Sequence, residues 1–177
     1  MRLHQLKLDF IPEQDRLLLR VSTDNRLEVR LWLTRRALRL LWPLLLQMLR
    51  SAPEVALQSS PQARDALLGL RHEQALGQAN FADAFEEAPR EMPLGAEPIL
   101  VVHIQARKDD NGNQVLGLMP QSGAGIHLTL DNTLLHSLCK LLQDAVAKSD
   151  WDIALELPTL LTQALADDAA APKKTLN

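Results

Sequence analysis

The chain has no tyrosine, three phenylalanines and three tryptophans, so aromatic side chains make up only 3% of it. So few rings make a poor stacking platform for nucleic-acid bases. The single cysteine, Cys139, excludes an intrachain disulfide, and the fold needs no oxidising compartment. Long apolar runs are also missing. The richest, Leu38 to Leu49, is interrupted by Arg39 and is too short to cross a bilayer. The opening residues MRLHQLKLDF alternate charged and apolar side chains without the apolar block of a secretion signal. The expectation is a cytoplasmic protein with no membrane partner.

Local catalytic signatures are lacking as well. His4, His72, His103, His127 and His136 form no HExxH pair. His136 and Cys139 share a helix face but have no second ligand pair, and Cys139 falls on an apolar stripe, which reads as a buried, inert thiol. No GxSxG elbow is present. Residues 122–126 (SGAGI) lack the Lys-Ser/Thr of a phosphate loop and lead into a strand rather than a helix. The DDNGN stretch at 109–113 resembles a calcium loop only until Pro120, which stands where the bidentate glutamate belongs; a hairpin turn at Asn111-Gly112 explains it. No metal and no cofactor is expected.

What the chain has in abundance is leucine, 38 of 177 residues, in two kinds of pattern. Residues 3–10, 16–22 and 26–33 alternate apolar and polar side chains with polar turns between them, which predicts an antiparallel meander with one buried face. Thr34 then caps a helix with Leu38, Leu41, Leu45, Met48 and Leu49 at helical spacing, and Pro43 predicts a kink or a restart after Trp42. The same order returns about one hundred residues later. Residues 98–107 predict a central strand, 114–119 and 126–130 two more, and Asp131 caps a helix over 132–148. Laid in register, Leu31, Leu33, Leu38 and Leu41 fall on Leu128, Leu130, Leu135 and Leu138. Leucine is common enough to match by chance, so the repeated order of strands, cap and helix is the stronger sign of an internal duplication.

The predicted fold is α+β: two βββα units in a pseudo-symmetric arrangement within one compact domain. The first unit covers 1–51, and a helical and acidic connector 52–97, with a helix over 62–79 and a solvated surface stretch after it. The second unit covers 98–157, with a further strand at 151–157. A short helix and a disordered tail take 158–177.

Charge is unevenly shared. Residues 1–51 hold ten Lys and Arg against five Asp and Glu, while the rest hold nine against seventeen. This balance suits an anionic partner for the first unit or attraction between the two halves. If Leu31 and Leu33 face inward, Arg30 and Trp32 face outward with Arg16, Leu18, Arg20 and Lys7, while Arg35, Arg36 and Arg39 follow at the start of the helix. The candidate binding face is therefore Arg16, Arg20, Arg30, Trp32, Arg35, Arg36 and Arg39. The strand at 98–107 carries apolar residues on both faces, so a helix or a second chain should cover each.

The strings HQLKLDFIPEQDRLLLRVST, RLWLTRRALRLLWPLL and LLHSLCKLLQDAVAKSDWD resemble those of a small uncharacterised proteobacterial protein family, across most of the chain. That resemblance brings no catalytic or binding residues. Tandem meander-plus-helix units are also similar in architecture to the PUR-repeat and Whirly families, which bind single-stranded nucleic acid. Those units place four strands before the helix where this chain has three. The function these observations favour is non-enzymatic binding of a macromolecule, a protein partner or homodimer ahead of single-stranded nucleic acid. An enzyme assembled from distant residues is the third reading.

Overall fold

A computed structural model describes residues 3–79, 85–87 and 90–158, and its fold is α+β. The alternating N-terminal third forms β1 (Leu3–Ile11), β2 (Arg16–Thr23) and β3 (Glu28–Leu33), each antiparallel to the one before. Leu8, Leu17, Leu19, Val21, Val29, Leu31 and Leu33 turn to one side and are buried. β3 begins later than its pattern suggested. Arg26 adopts φ 57° in the turn, and Leu27 bridges to Glu91 instead. Thr34 caps α1 (Arg35–Arg50), its hydroxyl accepting from the amide of Ala37 at 3.1 Å. The helix runs through Pro43 without a restart. Pro43 and Arg39 both lie on the solvent side, where water can satisfy the Arg39 carbonyl that proline leaves unbonded.

A short α2 (Pro53–Ala56), not anticipated from the sequence, precedes α3 (Pro61–Gln78), which Ser60 caps through the amide of Ala63 at 3.1 Å. The segment 98–107, expected as one strand, divides. β4 (Ile99–Leu100) runs parallel to β3, and β5 (His103–Lys108) opens a second sheet. Between them Val101 donates its amide to the carbonyl of Trp32 at 3.0 Å, and Val102 donates to Met119 at 2.8 Å. The segment is thus a seam between the sheets. Covering both faces of it proves unnecessary: Ile104 and Ala106 pack on the core, while His103, Gln105 and Arg107 face solvent.

The second sheet continues with β6 (Gln114–Met119) and β7 (Ile126–Leu130), both antiparallel. The β5–β6 turn is the expected hairpin. Gly112 takes φ 82°, and one oxygen of the Asp109 carboxylate accepts from the amides of Asn111 and Asn113 at 3.0 and 2.8 Å. Asp131 caps α4 (Asn132–Val146) through the amide of Leu134 at 2.8 Å. The order strand-strand-strand-helix therefore occurs twice, in sheets ordered β1-β2-β3-β4 and β5-β6-β7.

The helices tie the sheets together. α1 packs on β5 as well as on β3, and α4 packs on β1 as well as on β7. Their leucines join both inner faces in one core cluster that includes Leu31, Leu45, Leu116 and Leu142, and Cys139 is buried within it. Residues 151–157 form no strand, contrary to the alternation. Trp151, Leu155 and Leu157 are nevertheless buried, and the Trp151 indole donates to the Asp15 carboxylate and meets Phe10 edge-on. A buried anchor every few residues gives the period of a strand without a partner strand to pair with. The expected short helix and tail lie, from residue 159 onward, outside the described residues.

Gly125 shows how tightly the second sheet closes: a Cβ there would stand 2.3 Å from the carbonyl oxygen of Leu118 and 2.8 Å from the Met119 Cα. Gly77, in the last turn of α3, has nothing within 4 Å of that position. Urea denaturation should therefore show Gly125→Ala destabilised by about 1–3 kcal/mol. Gly77→Ala should be neutral or up to about 1 kcal/mol more stable.

Candidate binding face

The outer face of the first sheet is organised in cross-strand rows. Lys7, Arg20 and Arg30 are register partners, and the next row is Asp9, Leu18, Trp32 and Leu100. Directly opposed cations repel across a sheet unless something neutralises them. Glu28, one residue pair further along, does so. It opposes Ser22 at the start of β3 and is buried, with its side chain only 3% exposed. Its Oε1 accepts from Arg20 Nε at 2.9 Å and from Arg30 Nε at 2.8 Å, while its Oε2 accepts from Arg20 Nη2 at 3.1 Å. Arg90 of the connector comes within 3.8 Å of the same carboxylate. Burial pushes the Glu28 carboxyl up, but the hydrogen bonds and charges of Arg20 and Arg30 outweigh it and hold the group below the usual carboxylate range.

The acidic connector lies on this row rather than away in solvent. Glu87 accepts from Arg20 through both oxygens at 2.8 Å, and Lys7 reaches it at 3.6 Å. Arg20 is thus forked onto two carboxylates. The Glu87 hydrogen bonds, then those of Glu28, push its guanidinium above its ordinary range against the opposing effect of burial. The Phe85 ring lies 4.4 Å from the Arg20 guanidinium and 5.0 Å from that of Arg90. The backbone is tied down as well, Glu28 donating to Glu91 at 2.9 Å and Glu91 to Arg26 at 3.0 Å. The acid-rich residues 83–91, read as a solvated stretch, are therefore attracted by the first unit at Glu86, Glu87 and Glu91; Asp83 lies outside the described residues. The physical reason is a surplus of cations on one sheet face facing a segment rich in negative charge.

Each residue expected on the face can now be placed. Arg20, Arg30 and Trp32 share it, and Arg16, opposite Ile11, stands half-exposed at its end. Arg20 is not a free cation, because Glu28 and Glu87 occupy its donors, and Arg30 is paired through Nε with Glu28 while keeping 31% of its side chain exposed. Arg35, Arg36 and Arg39 belong to α1, whose buried side joins the core on the sheet's inner face, so they sit in a different layer from Trp32. Arg36 and Arg39 are exposed, and the half-buried Arg35 leaves its Nε without a hydrogen-bond partner among the described residues.

Sequence reasoning missed Glu28, Phe85, Arg90 and Leu100. Glu28 carried one signal: an acid at the head of a strand whose outward neighbours are arginines. Phe85 and Leu100 carried none, since long-range chain placement alone brings them here. Apolar side chains stay partly uncovered by the described residues, beside Lys7 at 38% and Asp9 at 42% exposure. Trp32 and Leu18 are half-buried, while Leu100 and Val102 are 39% and 38% exposed.

Among the described residues no group of three or more His, Cys, Asp or Glu could hold a metal ion, and no helix is long and apolar enough to cross a membrane. Cys139 is buried, and burial pushes its thiol up to about 12, which makes it a poor nucleophile. No family model matches the sequence, and no curated protein or solved structure matches it either.

Replacing Glu28 with Gln leaves three guanidinium groups without their shared buried counter-charge, a loss of the kind that costs about 3–5 kcal/mol. Thermal or urea unfolding should show that loss for Glu28→Gln. Glu87→Gln, at an exposed partner of the same Arg20, should move the midpoint far less.

Proposed function

We propose that the protein is a non-enzymatic binding module whose outer sheet face, centred on Trp32, docks a protein partner. The observation carrying this reading is the cross-strand row Leu18–Trp32–Leu100, in which Leu100 is 39% exposed, beside a Lys7–Arg20–Arg30 row whose charges Glu28 and Glu87 already neutralise. Tryptophan among exposed aliphatic side chains is the composition of an interface hot spot, where one ring supplies much contact area at low entropic cost. Its rim carries Arg16 and Arg30, the latter 31% exposed, while Asp9 at the β1 end of the row pairs with Lys7 at 3.4 Å. The partner that fits presents an apolar side chain flanked by carboxylates.

Nucleic acid fits less well. Its phosphates would have to compete with Glu28 and Glu87 for Arg20 and with Glu28 for Arg30, and Trp32 is the one tryptophan or phenylalanine that β1–β3 turn to the outer face, Phe10 packing on the core. Affinity purification from lysate of the native host, with and without nuclease, separates the two. A protein should be retained after nuclease treatment by the parent chain and lost with Trp32→Ala/Leu100→Ser at an unchanged melting temperature. Labelled single-stranded DNA or RNA should show no anisotropy shift at low salt. Retention unaffected by the double variant, or retention that nuclease abolishes together with a salt-sensitive shift, overturns the proposal.

A further inference from the structure

His72 on α3 and His136 on α4 meet inside the protein, where they are 7% and 1% exposed. Their Nδ1 atoms stand 3.0 Å apart and their ring centroids 5.1 Å apart, tilted by 53°. At that distance one Nδ1 must donate and the other accept. The accepting ring is therefore neutral with its proton on Nε2, the other carries a proton on Nδ1, and burial favours the neutral form of both. The other buried residues of the two helices are aliphatic apart from Gly69 on α3 and the Cys139 thiol on α4, none of them a strong hydrogen-bonding alternative.

Protonation disturbs this contact in two steps. The first proton goes to the free Nε2 of the donor ring. The Nδ1-H···Nδ1 bond survives, but an imidazolium now sits in an apolar interior without a carboxylate. The second proton can only go to the accepting Nδ1, which sets N–H against N–H and two positive charges 3.0 Å apart. Lys140 of α4 adds to the positive potential at His72, and Glu73 of α3 opposes it. Other charged groups on the elements packed against α3 and α4 include Lys7 and Asp9 of β1, Arg36, Arg39 and Arg50 of α1, and Glu54 of α2, none of which forms an ion pair with either ring.

We propose that the His72–His136 contact is an acid-sensitive latch, closed at neutral pH and released by proton uptake, that holds α3 onto α4. The direction follows from linkage. Burial depresses both rings below the ordinary 6.5, helped at His72 by the charge of Lys140 and at His136 by that of His72, which brings His136 down to about 4. An opened latch restores the ordinary value. The contact is therefore fully stable above pH 6.5 and loses stability as pH falls from there toward about 4. Two protons taken up on opening raise the opening equilibrium by up to about 100-fold per pH unit in that window.

Hydrogen–deuterium exchange of the full chain at pH 7.0 and about pH 5.5, corrected for the intrinsic pH dependence of exchange, tests this above the carboxylate range. Protection of residues 61–78 should fall between about 10- and 100-fold, while residues 16–33 of the β2–β3 hairpin keep theirs. In His72→Phe/His136→Leu, which replaces both rings with apolar groups, the protection of α3 should be independent of pH. No selective fall in the parent chain, or the same fall in the double variant, overturns the latch. Should that variant not fold, nitrogen chemical shifts of the parent's histidines at pH 6.5 decide: one Nδ1-H and one Nε2-H neutral ring support the latch, and a charged ring at either position overturns it.

Discussion

The structure hangs on one seam. Val101 donates to the carbonyl of Trp32 and Val102 to that of Met119, so a single extended segment belongs to both sheets within two residues. Each sheet alone would be a small meander with an apolar face too large for its own helix to cover. Joined at the seam, the sheets let α1 reach β5 and α4 reach β1, and the leucines of both halves close into one core. The exchange of helices makes each half part of the other's lid. Neither half buries its own apolar face without the other.

The seam also makes the candidate binding face. Parallel pairing of Ile99–Leu100 with Leu31–Trp32 sets Leu100 beside Trp32. Without it Trp32 would be a lone aromatic on an edge strand. With it, a continuous apolar row lies beside a cationic one. The two rows are handled differently: the cationic row is neutralised from below by Glu28 and from above by the connector, while the apolar row stays partly open. A protein partner is proposed because the cations are neutralised within the molecule while the apolar row keeps exposed side chains.

Charge and titration work at different depths in this molecule. On the sheet face the ion pairs form a network around a buried carboxylate whose ionised form is secured by two guanidinium groups. Between α3 and α4 the polar groups are neutral, and burial keeps them so. The first arrangement resists mild acid, because Glu28 keeps its charge well below neutrality. The second is sensitive to it, because an imidazole gains charge close to pH 6.5 once it reaches water.

Local chemistry was legible from the residues themselves. The alternation of β1–β3, the caps Thr34 and Asp131, the Asn111-Gly112 hairpin and the leucine stripe that buries Cys139 each depend on neighbours within a few positions, where backbone and side-chain geometry decide the outcome. The strand misread at 151–157 and the undivided strand at 98–107 mark the limit. Alternation reports which side chains are buried, but not which strand, if any, pairs with them. Arg20 and Arg30 were placed correctly on the outer face, yet their electrostatic state depended on Glu87, which is 67 residues from Arg20. Trp32 was outward from its parity alone, but its neighbour Leu100 came from the seam. The histidine pair shows the same division. His72 and His136 are unremarkable in sequence, 64 residues apart, and only the packing of α3 on α4 brings their rings into contact. Sequence by itself determined the periods, caps and turns, because those are short-range effects. Tertiary structure decided which charges were free, which apolar residues adjoined and which histidines met, because those depend on distances between segments that no local pattern encodes.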